Sequence, residues 1–482
     1  MPLPNYNSCD AASIFGHSAL LMGRSLAETM QALDCNFAVE QLVHPGKGSL
    51  CTMVEAHFFG YTPNSDPRPD FPEAGVELKV TPLRQGRTGL HIKERLVIDM
   101  INYMTVVEES FEESMLYRKF LLMLLLFYVH EQGVAWRDMQ FVFSVLWAIK
   151  DEDLEIIRQD YETIVDKVRR GQAHLLSESD TYYLSASTKG ANSQSMRQQP
   201  CSSEPARSRA FSLKPSYMRT ILEFAQAAGQ PLSTNTAITP ARKQLVSTHE
   251  LREARLEDIL TQRFAPYLGM DYKQMAERLQ MIITPREKSK YARVAKRILL
   301  EGLNSFDEAD EIHKAGIIAK TIRVESNGRI QEHMSFENID FAEVLETDDW
   351  TDSRWYEIVH SRMMLIVFRR SDLPEWGDEN RYVLERVLFA TLPQPIIDEA
   401  AEFWYNIKAN VMADKLFDAN ETDDPSRINQ FWRSADGHHF HVRPKARNSQ
   451  DKVPSPVSGS PVRKKCYWLS SAYLRTILQT NP

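Results

Sequence analysis

The pattern of apolar and polar positions changes character several times along the chain. From Val76 it alternates: Val76, Leu78 and Val80 are apolar, whereas Glu77, Lys79 and Thr81 are polar. Strand side chains repeat with a period of two, so this segment predicts a half-buried strand carrying Glu77 and Lys79 on one face. Phe120 to Val129 is an apolar run of ten residues, about half of what spans a bilayer, and predicts a buried core strand. Leu26, Met30 and Leu33 fall at helical spacing. Mixing of the two periods predicts an α+β fold.

The pattern also repeats. TKGANSQ at 188–194 returns as PKARNSQ at 444–450, and YMRTIL at 217–222 as YLRTIL at 473–478, both at an offset of 256. MLLLFY from Met123 matches MLIVFR from Met364, and LLMGRSLAETMQAL at 20–33 resembles PYLGMDYKQMAERL at 266–279. Four matches in one order imply duplication. The Ser/Thr/Pro/Gly-rich segment 229–250 reads as a linker between domains at 1–228 and 251–482. Ser/Pro-rich loops at 195–210 and 451–462 precede the closing helix of each half.

Composition narrows the class. The 482 residues carry 57 Lys plus Arg against 65 Asp plus Glu, a formal charge of −8, with 43% hydrophobic and 25% charged residues. This is an ordinary globular balance. No secretory signal opens the sequence, no run is long enough for a membrane span, and five scattered cysteines point to free thiols in a reducing cytoplasm. An acidic protein argues weakly against a nucleic-acid partner, but its basic residues are locally concentrated. Lys189 to Arg219 holds six basic residues and one acidic, and Arg443 to Arg475 eight and one. Matching basic segments in both halves are an electrostatic footprint for phosphate backbones.

The alternating strand carries the candidate chemistry. Asp70 lies six residues before Val76, after which Glu77 and Lys79 share a face. Glu-x-Lys occurs only here in the chain. Two carboxylates and a lysine form a kit for phosphodiester hydrolysis. Mg²⁺ takes hard oxygen ligands and needs only one or two carboxylates. It activates water and neutralises the phosphoryl oxygens, while a lysine orients the attacking water. His439 and His441 would share a strand face, which reads as a polar edge more simply than as a metal site.

FFGYTPNSDPRPDFPEAGVELKVTPL (58–83), KERLVIDMINY (93–103), DYETIVDKVRRGQ (160–172), TYYLSASTKGAN (181–192) and FSLKPSYMRTIL (211–222) together resemble the MutH endonuclease family, and within it the tandem, GATC-cutting type II restriction endonucleases of the Sau-three-A-I type. The resemblance implies two restriction-endonuclease-like domains, each a central mixed β-sheet flanked by helices. It makes Asp70 and Glu77 the metal carboxylates, Lys79 the catalytic lysine and Glu55 a further catalytic glutamate. It also implies DNA contacts from Lys47, Lys119, Lys189, Asn192 and Lys214. Ser187 and Thr188 stand where MutH has Arg-Pro, and Ser212 where MutH has a tyrosine that touches adenine.

In the second half GVELK becomes GIIAK at 316–320: Lys320 remains, Glu311 falls at the aspartate position and Ile318 replaces the glutamate. Isoleucine cannot hold Mg²⁺, so this half is expected not to cut. Its VRPKARNSQ segment keeps Arg443, Lys445 and Asn448, and arginine and asparagine suit guanine and adenine edges respectively. The resemblance thus implies an effector domain that binds a second copy of double-stranded DNA. It also implies a cognate DNA methyltransferase encoded alongside and a DNA-induced dimer. A MutH-like nicking enzyme and a catalytically silent, bivalent DNA-binding protein are the alternatives.

Overall fold

Seven apolar residues in succession, Met123–Val129, suit only a strand covered on both faces. In the computed structural model Met123 to Phe127 have no solvent exposure, and truncating such a side chain to alanine costs about 2–5 kcal/mol. All residues are described except 1–5, 35–38, 40–41, 43–48, 63–65, 87–88, 191–194, 229–241, 285, 301–304, 372–380, 449 and 481–482. The apolar run does not form one element. Phe120 and Leu121 end the helix Met115–Leu121, and the strand begins at Met123.

The chain divides into two units, Met1–Arg242 with Ser247–Arg252, and Lys243–Val246 with Glu253–Pro482. Within the segment read as a linker, 229–241 lie outside the described residues and Thr248–Glu253 is helical. In the first unit the strands are β1 Glu77–Gly86, β2 Gly89–Ile92, β3 Leu96–Met100, β4 Met123–Val129, β5 Phe141–Trp147, β6 Leu184–Thr188, β7 Met196–Gln199, β8 Ser202–Arg207 and β9 Arg209–Leu213. One mixed sheet has the order β2-β1-β4-β5, with β1 parallel to β4 and the other pairs antiparallel. A second, antiparallel sheet has the order β3-β9-β6. The helix Asp151–Arg169 starts on Asp151, Glu152 and Asp153 and ends on Lys167 and Arg169, charges that match its dipole.

The second unit rebuilds the plan. Its strands are β10 Ile318–Val324, β11 Met334–Asn338, β12 Met363–Arg370, β13 Tyr382–Ala390, β14 Phe440–Pro444, β15 Lys452–Pro454, β16 Pro461–Arg463 and β17 Lys465–Leu469. The mixed sheet β10-β12-β13 and the antiparallel sheet β11-β17-β14 repeat the pairing of the first unit. Register makes the repeat specific: Glu77 pairs with Met123 and Lys79 with Leu125, as Ile318 pairs with Met363 and Lys320 with Leu365. The central strands therefore correspond through Met363, one residue earlier than the Met364 match in the sequence. Before each first strand a glycine, Gly75 or Gly316, takes a left-handed conformation, φ 64° and 63°, which a side chain would strain. The two Ser/Pro-rich stretches are not simple loops. They contain the hairpins β7-β8 and β15-β16.

Candidate active site

The cluster is built on β1. Leu78 points into the core, leaving Glu77 and Lys79 together on the opposite face, as the alternation requires. Lys79 Nζ lies 2.7 Å from Glu77 Oε1, their side chains 19% and 2% exposed. Asp70 approaches from the preceding turn, where Phe71 and Val76 exchange backbone hydrogen bonds of 2.9 and 3.2 Å. Its Oδ2 accepts the Leu78 N–H at 2.8 Å, folding the carboxylate back over the strand.

Glu55 arrives on an irregular helix. Ser49–Met53 continues as a π-helical turn, Val54–Phe59, that ends at left-handed Gly60. Single π-turns are common at functional sites. Glu55 Oε1 accepts from Cys51 Sγ at 3.1 Å, and its carbonyl accepts the Tyr61 N–H at 3.1 Å. Neither Cys51 nor the π-turn is signalled by the sequence pattern. Lys119 is also brought here. It is 7% exposed, and its Nζ lies 3.8 Å from both Glu77 Oε1 and Asp99 Oδ2. Lys119, which the resemblance offers as a DNA contact, is turned inward by the helix Met115–Leu121 and faces this cluster. Asp99, on β3, was missed: nothing local links it to β1.

The electrostatics are those of crowded, dehydrated charge. Burial raises the Glu77 carboxyl above its usual range, Asp70 adds to this, and Lys79 and Lys119 oppose it. Asp70 is raised by burial and by Glu55 against the Leu78 N–H and Lys79. Burial alone would lower Lys79, yet Glu77 and Asp70 hold it above the usual lysine range, so it is a firm cation. Glu77 Oε2 is buried with no hydrogen-bond partner. Among the described residues no group of three or more His, Cys, Asp or Glu side chains could hold a metal ion. A two-carboxylate oxygen set nevertheless fits Mg²⁺, which keeps waters in its remaining positions. The orphaned Oε2 is the kind of atom a hard cation satisfies.

Other predicted residues disperse. Lys47 and Asn192 lie outside the described residues. Lys189 is exposed just past β6, its backbone N–H bonded to Ser208 O at 2.9 Å. Lys214 is placed inside the unit. It is 8% exposed and its ammonium donates to Thr181 O, with the Asp160 carboxylate nearby. Arg209 is likewise buried, donating to Ala186 O and Leu176 O. The basic segment is thus partly interior, with Arg197 and Arg207 left exposed beside Lys189. Ser187 and Ser212, at the two departures from MutH, are buried and share a hydrogen bond of 2.6 Å.

In the second unit Arg443, Lys445 and Asn448 are all exposed. The guanidinium of Arg443 sits 5.4 Å from the Trp468 ring centre. Register places Arg443 and Trp468 where the first unit has Ser187 and Ser212. Asn448 Oδ1 accepts from Gln450 N at 2.9 Å. Glu311 is no free aspartate substitute: it is buried and accepts from Leu245 N and Val246 N at 2.8–3.0 Å. The histidines also separate. His439 pairs with Glu399, a carboxylate partner not foreseen, whereas His441 is fully buried.

The loss of Glu77 in this unit is matched by a second change. The caps Ser114 and Ser353 accept from Tyr117 N and Tyr356 N at 3.1 and 3.0 Å, and counting from these caps makes Ile358 the counterpart of Lys119. The Glu77–Lys119 pair is thus replaced by Ile358, buried in an apolar cluster, and Ile318, half-buried and packed against that cluster. Such a swap of a buried ion pair for hydrophobes is neutral or stabilising.

Comparison with known proteins gives the family. Residues 59–160 match the family model of the DNA mismatch repair enzyme MutH. The type II restriction enzyme Sau3AI of Staphylococcus aureus is 30% identical over 451 residues, 87% of this chain and 90% of that enzyme. MutH of Shewanella woodyi is 27% identical over 182 residues, 37% of this chain and 77% of that protein. MutH of Serratia proteamaculans is 25% identical over 215 residues, 43% of this chain and 90% of that protein. With a relative of that identity aligned along nearly its whole length, the chain belongs to the Sau3AI type II restriction-enzyme family of site-specific deoxyribonucleases.

Proposed function

We propose that the first unit hydrolyses duplex DNA at GATC with Mg²⁺, and that the second unit binds another GATC copy and stimulates cutting. The observation that carries this reading is the contrast between the units. Asp70, Glu77, Lys79 and Lys119 assemble in the first, whereas the second has lost the carboxylate and keeps exposed Arg443, Lys445 and Asn448. Asp70 and Glu77 would hold the cation, with Glu55 as a further carboxylate of the site. Bound there, Mg²⁺ supplies Lewis acidity toward the phosphate and lowers the pKa of water. Lys79 stays protonated, orients the attacking water and balances charge growing on the phosphate. Lys119 holds Glu77 in place.

On the DNA side, Lys189 contacts backbone phosphate in the first unit, with Lys47 and Asn192 on the same duplex. Arg443 and Asn448 read base edges in the second, where the MutH-like Arg-Pro-Lys order is kept and an aromatic ring lies under the arginine. The first unit, with Ser187 and Ser212, has lost that pair. One cutting unit makes double-strand breaks by pairing two chains on DNA. A companion methyltransferase protects the host sites.

The test is digestion of plasmids with no, one or two GATC sites in Mg²⁺ or EDTA. Mg²⁺-dependent double-strand cutting, faster with two sites, is the expected result. Equal rates on one and two sites would remove the effector role. Single nicks would turn the reading to a repair-type enzyme, and binding without cleavage to a silent bivalent reader.

A further inference from the structure

Strand register gives Lys320 the place of Lys79, yet its surroundings differ. Lys79 has the Glu77 carboxylate at 2.7 Å. Lys320 is half-buried and, among the described residues, has no hydrogen bond or ion pair. The loss of Glu77 was balanced elsewhere, since the Lys119 position became Ile358 at the same site. Lys320 was left without such compensation. An uncompensated, partly dehydrated ammonium is unfavourable in the free protein, and burial together with the charge of Lys445 lowers its affinity for a proton.

The carboxylates whose fields reach it are Glu337 and Asp307. Glu337 is already engaged, accepting from Arg354 through both oxygens. Lys445, from the end of β14, is exposed, with its Nζ 2.8 Å from Ser335 Oγ and 5.8 Å from the Trp468 ring centre. Beyond it Arg443, Arg447 and Lys452 are also exposed. The dismantled site thus adjoins a run of exposed basic residues, with cations retained and the carboxylate of the Glu77 position removed.

We propose that Lys320, together with Lys445, grips a backbone phosphate of the second DNA duplex at the dismantled site of the second unit. This rests on the reading that the second unit binds DNA. It adds that the former catalytic lysine has become a phosphate clamp, so the duplex is held where a scissile phosphate would once have lain. A duplex is favoured over a small phosphate because the basic residues continue outward along the reading loop.

The experiment uses the full chain carrying Glu77→Ala, so that DNA is not cut, titrated with a short GATC duplex. Two binding steps are expected. Adding Lys320→Met should weaken the second step about tenfold, as for a lost charged hydrogen bond, and reduce its log–log salt slope by about 0.9. Lys320→Arg should restore much of both. Without DNA, Lys320→Met should melt at or above the parent, since it removes an unpaired charge. An unchanged second step, or a lower melting temperature for Lys320→Met, overturns the proposal. So does inorganic phosphate raising the melting temperature of the parent but not of Lys320→Met while duplex binding stays the same, because the ligand is then free phosphate. If Lys445→Ala weakens the second step and Lys320→Met does not, the clamp fails and the effector reading stands. If the parent binds only one duplex, the effector reading itself fails.

Discussion

Asp99 Oδ2 lies 3.8 Å from Lys119 Nζ, and through that lysine a residue of the second sheet is tied to the cluster on the first. Glu77 Oε1 lies at the same distance, 3.8 Å, from that ammonium. Asp99→Asn removes one of two competing anions and lets Lys119 shift toward Glu77. Cleavage should fall about 10–100-fold, as for other outer-shell partners of metal carboxylates, with duplex binding in EDTA unchanged. Single-turnover cleavage read beside a binding isotherm checks this, and an unaltered rate would make Asp99 a bystander.

The paired isoleucines of the second unit suggest a double-mutant cycle in the first. Glu77→Ile alone removes the carboxylate that faces both Lys79 and Lys119 and should destabilise by about 3–5 kcal/mol. Adding Lys119→Ile should recover much of that loss, while both variants remain inactive. Denaturant unfolding gives the coupling directly, and simple additivity would mean that the two positions do not communicate.

Lys189 and Lys214 should separate cleanly. Lys189→Ala leaves stability alone and lowers the salt slope of DNA binding by about 0.9. Lys214→Met leaves Thr181 O without its donor and removes a counter-charge of Asp160, so stability should drop by about 1–3 kcal/mol with the slope intact. Melting curves and salt titrations of the two variants would exchange outcomes if Lys214 met phosphate.

His441 predicts a pH response of the second unit. Burial, His333 and Arg443 push its pKa from the usual 6.5 down to about 4. The unfolded chain therefore binds the extra proton first. Stability from this group is complete above about pH 7, falls as pH drops from about 6.5, and has fully declined only near pH 4. At pH 5 the loss is about 2 kcal/mol. Thermal melts at pH 7 and pH 5 should show it, and His441→Phe should flatten the difference.

Local pattern reveals some of this and not the rest. Alternation put Glu77 and Lys79 on one face because a strand leaves no other arrangement, and the apolar run announced β4. Collinear matches gave the duplication, which the register of Lys79 and Lys320 reproduces. Asp99 escaped because its meeting with Lys119 joins a strand of the second sheet to a helix, which no spacing encodes. The interior placement of Lys214 is not legible either, because a lysine in a basic stretch looks solvated. Only the fold shows the Thr181 carbonyl and Asp160 carboxylate that draw it inside. Glu311 aligned with Asp70 by count alone, yet it sits in a helix, Asp310–Ala315, where Asp70 sits in a turn.

That last difference bears on how the second half could change again. Restoring glutamate at Ile318 would rebuild a salt bridge to Lys320 but not a nuclease. Ile358 would still occupy the place of Lys119, and the Glu311 carboxylate would still pin the backbone of Leu245 and Val246. Freeing Glu311 would unfasten the entry segment of its own unit. No single reversion leads back to a cutting site, so the specialisation of the second half behaves as a ratchet. Drift at one position cannot rearm it.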